Sequence, residues 1–243
     1  MSADAGGKTV RPALPGRVAA VIPAAGQGKR MGGGTVKQFL PLKGKPILAH
    51  TLDVFEAASA ITEVVLVVSE DYVAACQKDI VQRYRLKKVR RIVVGGAERQ
   101  HSVYNGLLAL DKSVDLVVVH DAARPLITPD LLNWAVSEAW ERGSVVMAVP
   151  VKDTIKVVGA TGLIHDTPER RRLWAAQTPQ IFPYGVLLGA YEKARREAFV
   201  GTDDASLVER LGQAVHVIEG SPENMKITTP EDLLLAEMIL ERR

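Results

Sequence analysis

The chain contains a single cysteine, Cys76, so an internal disulfide is excluded and a reducing compartment is its natural setting. Cys76 shares a helical stripe with Tyr72, Val73 and Ile80, the position of a small buried apolar residue rather than of a nucleophile. No apolar run approaches the ~20 residues that span a bilayer. The longest, such as Val64 to Val68, have the length of a strand. Charge of one sign is not in large excess either: 31 Lys and Arg stand against 28 Asp and Glu. That balance gives no reason to expect a nucleic-acid polymer as partner, and Lys87, Lys88, Arg90 and Arg91 read as a solvated face. There is no internal repeat, and no low-complexity segment beyond residues 1–17. Those residues are rich in Gly, Ala and Pro, carry Lys8, Arg11 and Arg17, and lack the apolar centre of a secretory signal. They read as a flexible tail, either native or the trimmed remnant of an organelle-targeting peptide.

What is present is alternation. The runs 18–23, 64–68, 91–94, 114–119 and 144–150 have the pattern of buried strands. Amphipathic segments near 46–58, 71–84, 99–111 and 128–141 lie between them, with Pro46 and the pair Thr128-Pro129 as helix starts. A chain of 243 residues organised this way predicts an α/β domain over 18–243, with a doubly wound, mostly parallel sheet. The alternation breaks after Pro150. "VKDTIKVV" places Val151, Ile155 and Val157 on one side, "GATG" at 159–162 makes a turn, and "LIH" begins a return. This predicts a protruding β-hairpin arm over about 150–175. An isolated hairpin is marginal in water, so the arm needs a surface to pack on, and a second copy of the chain would supply it. Helical patterning resumes at 184–198, 203–211 and 230–241, the last with Thr229 as N-cap, Pro230 in first position and Glu231 and Asp232 at the positive end of the dipole.

In such sheets ligands sit beyond the carboxyl ends of the strands. The first strand runs into "PAAGQGKRMGGGTVKQF" (23–39). Gly26 and Gly28 fit the dinucleotide fingerprint, but Met31 stands at its third glycine and the expected acid falls in a helix. The Walker pattern fails too, because Gly28-Lys29 is followed by Arg30 and Gly44-Lys45 by Pro46. What remains is a loop with free amides at 24–28 and cations at Arg30 and Lys37. Amides and fixed cations suit phosphate oxygens; a surface turn with solvated cations is the alternative that spacing leaves open. The strand at 91–94 runs into "GGAERQHSVYNGL", where Gly95 and Gly96 expose backbone fit to read a nucleobase edge and Ser102 either bonds a sugar or base or opens a helix. The strand at 114–119 runs into "HDAARP". Asp121 there is either a carboxylate for Mg²⁺ or the partner of Arg124 in a salt bridge, and His120 reads as a packed histidine rather than a base. Further along come Asp153 and Thr154, Arg170 to Arg172, Thr178, Thr202 and Lys226. The last lies between apolar neighbours.

The blocks "PAAGQGKRM", "KQFLPLKGKPIL", "GGAERQHSVYNGL", "VHDAARP", "VKDTIK", "TPERRRLWAAQTPQ", "TDDASLVE" and "NMKITTPEDLLLAE" resemble, in the same order, those of the 2-C-methyl-D-erythritol 4-phosphate cytidylyltransferases. The resemblance spans roughly residues 18 to 241. It implies a nucleotidyltransferase-type, Rossmann-like fold and a homodimer in which the arm reaches the neighbouring subunit. It implies transfer of CMP from CTP to methylerythritol 4-phosphate in the non-mevalonate route to isoprenoids, with Mg²⁺ as cofactor. On this resemblance the amides of Ala24, Ala25 and Gly26 bind the nucleotide, and Gly96, Ala97 and Ser102 recognise cytidine. Arg30, Lys37 and Lys226 surround the α-phosphate, and Asp121 serves the metal. Asp121, Arg124, Thr154, Arg170, Thr178 and Thr202 form the acceptor site, with Thr154 and Arg170 donated by the partner.

The sequence departs from the family pattern twice. Val36 replaces the proline usual before Lys37, and His101 replaces the acid usual before Ser102. A bacterial cytoplasmic location is implied, or the plastid stroma if residues 1–17 are a transit remnant. Three alternatives remain beside this one: a cytidylyltransferase for another polyol phosphate such as ribitol 5-phosphate, a nucleotide-binding regulator without catalysis, and a dinucleotide-dependent oxidoreductase.

Overall fold

Val18–Pro23 (β1) is apolar on both faces because both faces are covered. Ala20 and Ile22 enter one hydrophobic core, and Ala19 and Val21 enter the core on the other side. A strand buried twice needs no polar alternation. The computed structural model describes residues 16–26 and 36–243. After β1, a short ribbon of β2 (Pro41–Leu42) and β3 (Lys45–Pro46) leads into α1 (Ile47–Ala57) and β4 (Glu63–Val68). Next come α2 (Val73–Ala75), which continues as a π-helical segment (Cys76–Gln82), then β5 (Val89–Val94), α3 (Arg99–Leu108), β6 (Leu116–Val119) and α4 (Pro129–Arg142). β7 (Val145–Pro150) precedes the arm strands β8 (Val157–Val158) and β9 (Ile164–Asp166). The chain closes with β10 (Trp174–Pro183), α5 (Tyr184–Arg196), α6 (Asp204–Arg210), β11 (His216–Glu219) and α7 (Pro230–Arg242).

Seven strands form one sheet in the order β11-β7-β10-β6-β1-β4-β5. β1 pairs in parallel with β4 and β6, β4 with β5, and β7 with β11, while β10 runs antiparallel to both of its neighbours. The expected mostly parallel, doubly wound sheet is therefore the one observed. The carboxyl ends of β1, β4, β5 and β6 share one edge. Because β10 pairs Trp174 with Pro150, the chain leaves β7 and re-enters β10 at this same edge, and the arm projects from it.

Two strands of the seven-stranded sheet were not legible. β10 carries Pro179, and proline in a central strand argues against a strand. The structure accommodates it in a register shift between Ala176 and Gln180, where the ladder to β7 is interrupted. β11 is an edge strand in which Ile218 alone is buried, so it lacks an apolar run. The segment expected as one helix over 71–84 divides into 3₁₀, α and π turns. The arm's ladder is confined to β8 and β9, around the expected turn. Thr229 caps α7 as expected, in a reciprocal capping box with Asp232. Cys76 is fully buried, and burial pushes its thiol up to about 12. Of the expected tail, residues 1–15 lie outside the described residues. Arg17 pairs with Glu63 at 2.8 Å, and its amide donates to Asp115 Oδ2 at 2.8 Å.

One glycine sets how closely α3 approaches the sheet. A Cβ on Gly106 would stand 2.5 Å from Val21 Cγ1 and 3.0 Å from Val67 Cγ2. In a solvated helix, Gly→Ala is stabilising by about 1 kcal/mol. Here overpacking reverses the sign, and Gly106→Ala is expected to destabilise by about 1–3 kcal/mol, read from the urea midpoint of unfolding.

Candidate active site

The loops that follow β1, β4, β5 and β6 enclose a cavity of about 820 Å³. Ala24, Ala25 and Gly26 form one wall, and Gly95, Gly96 and Ala97 another; Lys37, Asp121 and Lys226 also line it. Two lysines from opposite ends of the chain thus share one pocket with bare backbone. Arg30 lies outside the described residues.

The first wall is held from behind by Gln38, which is nearly fully buried and comes from the 3₁₀ turn Lys37–Phe39. Its Nε2 donates to the carbonyls of Ala24 and Gly26. Carbonyls tied back to Gln38 are kept from competing for the ligand that the neighbouring amides would bind. The second wall is pressed against the first at Gly95, where a Cβ would come within 2.5 Å of Ala25 Cβ and 2.8 Å of Ser102 Oγ. A side chain at 95 would part the two loops. Ser102 Oγ accepts from the Gly96 amide at 3.1 Å and donates to the Glu98 carbonyl at 3.1 Å. It therefore shapes the Gly96–Glu98 turn from inside α3. It is not the N-cap of that helix, a place taken by Glu98 without a side-chain capping bond.

Asp121 is the electrostatic centre. Its carboxylate lies 3.1 Å from Arg99 Nε, 2.9 Å from Lys226 Nζ and 3.6 Å from Arg124 Nε. Burial by itself would raise its pKa, but Arg99, Lys226 and Arg124 outweigh that effect and hold the carboxyl well below the usual range. Arg99 in turn makes a two-pronged pair with the fully buried Asp204, at 3.1 and 2.8 Å. Sequence reasoning missed this role for Arg99 and Asp204. The signal was present in "GGAERQHSV" and "TDDAS", but nothing in spacing could show that they meet.

Thr178 is brought beside Asp121 without reaching the cavity wall. Its Oγ1 accepts from the Asp121 amide at 3.0 Å and donates to His120 Nδ1 at 3.1 Å. His120 Nε2 then donates to the Arg124 carbonyl at 3.0 Å. These bonds assign a neutral ring with its proton on Nε2, so His120 is a packed histidine, as expected. Arg124 donates to the Asn224 carbonyl at 2.8 Å and is mostly buried. Thr154 and Arg170 are exposed on the arm, where Arg170 donates to the Lys152 carbonyl at 2.9 Å. Thr202 is exposed just before α6. Among the described residues, therefore, nucleotide-side expectations converge on the cavity, while Arg124, Thr154, Arg170, Thr178 and Thr202 do not line it.

Among the described residues there is no cluster of three or more His, Cys, Asp and Glu to hold a metal by protein groups alone. The donor chemistry fits Mg²⁺ in one way. A single carboxylate, already faced by cations, takes a divalent ion when substrate phosphates supply the remaining charge and oxygen ligands.

A cavity of bare amides and lysines at the carboxyl edge of such a sheet suits nucleotide phosphates, and comparison with known proteins gives the class, a nucleotidyltransferase. The chain belongs to the 2-C-methyl-D-erythritol 4-phosphate cytidylyltransferase family: the family model described as "IspD: 2-C-methyl-D-erythritol 4-phosphate cytidylyltransferase" matches residues 18–242. A protein of that name from Alkaliphilus metalliredigens is 49% identical over 231 residues, covering 95% of this chain and 96% of the relative. Another, from Geotalea uraniireducens, is 51% identical over 227 residues, covering 93% and 97%. The crystal structure of 4-diphosphocytidyl-2C-methyl-D-erythritol synthase from Anaerococcus prevotii superposes with a TM-score of 0.82 at 32% identity, covering 93% of this chain and 99% of that one.

Burial lowers His120 to about 4, against an ordinary value of 6.5, with its backbone bond to Arg124 opposing only in part. Between these values the unfolded chain binds a proton that the folded protein refuses. Stability is thus complete above pH 6.5 and falls as pH drops toward 4, by up to about 3 kcal/mol. His120→Asn is expected to flatten this stretch of the stability–pH curve, measured by urea unfolding at steps of pH.

Proposed function

We propose that the protein catalyses the reaction of CTP with 2-C-methyl-D-erythritol 4-phosphate, giving 4-diphosphocytidyl-2-C-methyl-D-erythritol and pyrophosphate, in the non-mevalonate route to isoprenoids. The observation that carries the reading is the convergence of Lys37 and Lys226 on the cavity walled by the Ala24–Gly26 and Gly95–Ala97 backbone. Family membership supplies the identity of the two substrates.

The acceptor phosphate is the nucleophile and is ionised at neutral pH, so the reaction needs no base. The obstacle is the repulsion between two anions. One oxygen of the acceptor phosphate bonds to the α-phosphorus of CTP as the bond to the β-phosphate oxygen breaks. The residues contribute position and charge. Lys37 and Lys226, with Arg30, meet the negative charge gathering on the α-phosphate. The Ala24, Ala25 and Gly26 amides hold the nucleotide, and the Gly96 and Ala97 backbone, shaped by Ser102, reads cytosine. Asp121 is the carboxylate that would hold Mg²⁺ together with the triphosphate. When bound, the ion supplies charge neutralisation to the triphosphate and to the departing pyrophosphate. Phosphates entering beside Asp121 also give Lys226 a second anionic partner, which favours its release toward the reacting centre.

Arg124 and Thr202 are assigned to the acceptor side, with Thr154 and Arg170 contributed by the partner's arm; Thr178, whose hydroxyl is already bonded to the Asp121 amide and His120, supports that side from behind. The arm supports a homodimer: Val157, Val158, Leu163 and Ile164 are 47–67% exposed on it, an apolar surface that a lone hairpin does not retain cheaply. The bacterial sources of the relatives favour a cytoplasmic location. Among the described residues no helix is long and apolar enough to cross a membrane.

The test is pyrophosphate release from CTP and Mg²⁺, with methylerythritol 4-phosphate present, absent, or replaced by ribitol 5-phosphate. Release that depends on the methylerythritol compound is expected; equal or faster release with ribitol 5-phosphate would reassign the acceptor. Lys37→Ala and Lys226→Ala should each lower kcat about 100-fold with unchanged circular dichroism, and near-normal turnover in either defeats its assignment. Arg170→Ala should chiefly raise the KM for the acceptor. A change confined to CTP affinity would show that the arm is placed wrongly.

A further inference from the structure

Arg99 makes more bonds than a cavity wall requires. Its Nη1 and Nη2 are spent on Asp204, at 3.1 and 2.8 Å, and its Nε on Asp121 Oδ1 at 3.1 Å. Asp204 is fully buried, and its Oδ1 also accepts from the Tyr191 hydroxyl. The guanidinium therefore cannot swing toward a phosphate without leaving a buried carboxylate unpaired. Lys226, 36% exposed and bonded to Asp121 through one ammonium, carries no such tether to Asp204.

The residue beside Arg99 fastens the same two regions. Gln100 Nε2 donates to the Phe199 carbonyl at 3.0 Å, and its Oε1 accepts from the Gly201 amide at 2.9 Å. From the sheet, Gln180 donates to Asp203 Oδ2 at 2.8 Å and accepts from the Ala205 amide at 3.0 Å. The segment 199–206, which includes Thr202, is thus bolted to the first turn of α3 on both sides of that threonine. That turn is the direct continuation of the Gly95–Glu98 cavity wall.

We propose that Arg99 is a positioning residue that joins the nucleotide wall to the segment carrying Thr202. With its fork locked on Asp204, it fixes Oδ1 of Asp121. Oδ2, near Lys226 and Arg124, is then the oxygen left to exchange partners when phosphates arrive. The inference rests on the proposed reaction and adds to it the element that sets donor and acceptor sides at a constant separation. A lysine cannot replace the arginine here, because one ammonium cannot present a planar fork to one carboxylate and a third donor to another.

Arg99→Lys and Asp204→Asn, both close to the native size, test this. CTP affinity by calorimetry should stay within about threefold, while kcat falls about 100-fold, the loss expected of roughly 1 Å of misplacement, and the acceptor KM rises. Amide hydrogen exchange over 199–206 in the ligand-free protein should quicken in both variants. Retention of most of kcat by Arg99→Lys would mean that charge alone matters and would overturn the proposal. So would a fall in melting temperature with normal kcat and a uniform rise in exchange, the signature of a merely structural pair. Wild-type turnover is the separate check on the reaction. Its absence would remove the proposed function, while the exchange comparison would still decide for or against the clamp.

Discussion

Asp121 is a carboxylate whose pKa burial alone would raise, and it is held ionised by cations from three parts of the chain. Arg99 comes from the start of α3, Arg124 from the loop after β6, and Lys226 from the segment before α7. A buried charge with its partners removed is costly by several kcal/mol, so this one contact draws three elements to the edge of the sheet. The attraction also stores positive charge where two anions are to meet. In the unliganded state the cations face Asp121, whose charge offsets part of their mutual repulsion.

The rest of the cavity follows from how little side chain its walls contain. Gly95 lets the loop after β5 lie against Ala25, and Gln38 occupies two carbonyls of the opposing loop. Backbone that approaches a ligand this closely reads shape and hydrogen-bonding pattern rather than charge. On the proposed mechanism the division of labour is physical: amides would orient the nucleotide, and lysines would neutralise what changes during transfer.

The arm answers a different constraint. β10 runs against the direction of its neighbours, so the chain must leave and re-enter at the cavity edge. Any arm built into this connection emerges beside the site. That its exposed apolar residues, Thr154 and Arg170 are carried out from this edge is a consequence of one topological choice.

The central strands and most helices were legible because each is a local pattern: a doubly buried strand is apolar throughout, and a capped helix announces its first turn. β10 escaped because Pro179 contradicts the local rule and only a register shift reconciles it. The loops were legible as phosphate-compatible, and the ordered blocks identified the family and with it the roles expected of Lys37, Asp121 and Lys226. Arg99 and Asp204 were on the page as letters but not as a pair. What the sequence by itself determined is therefore everything set by neighbours along the chain: element type, caps, and the bare amides after each strand. Only the tertiary structure decided which distant charges touch, since Coulomb energy depends on distance in space and burial, and neither is written in sequence separation.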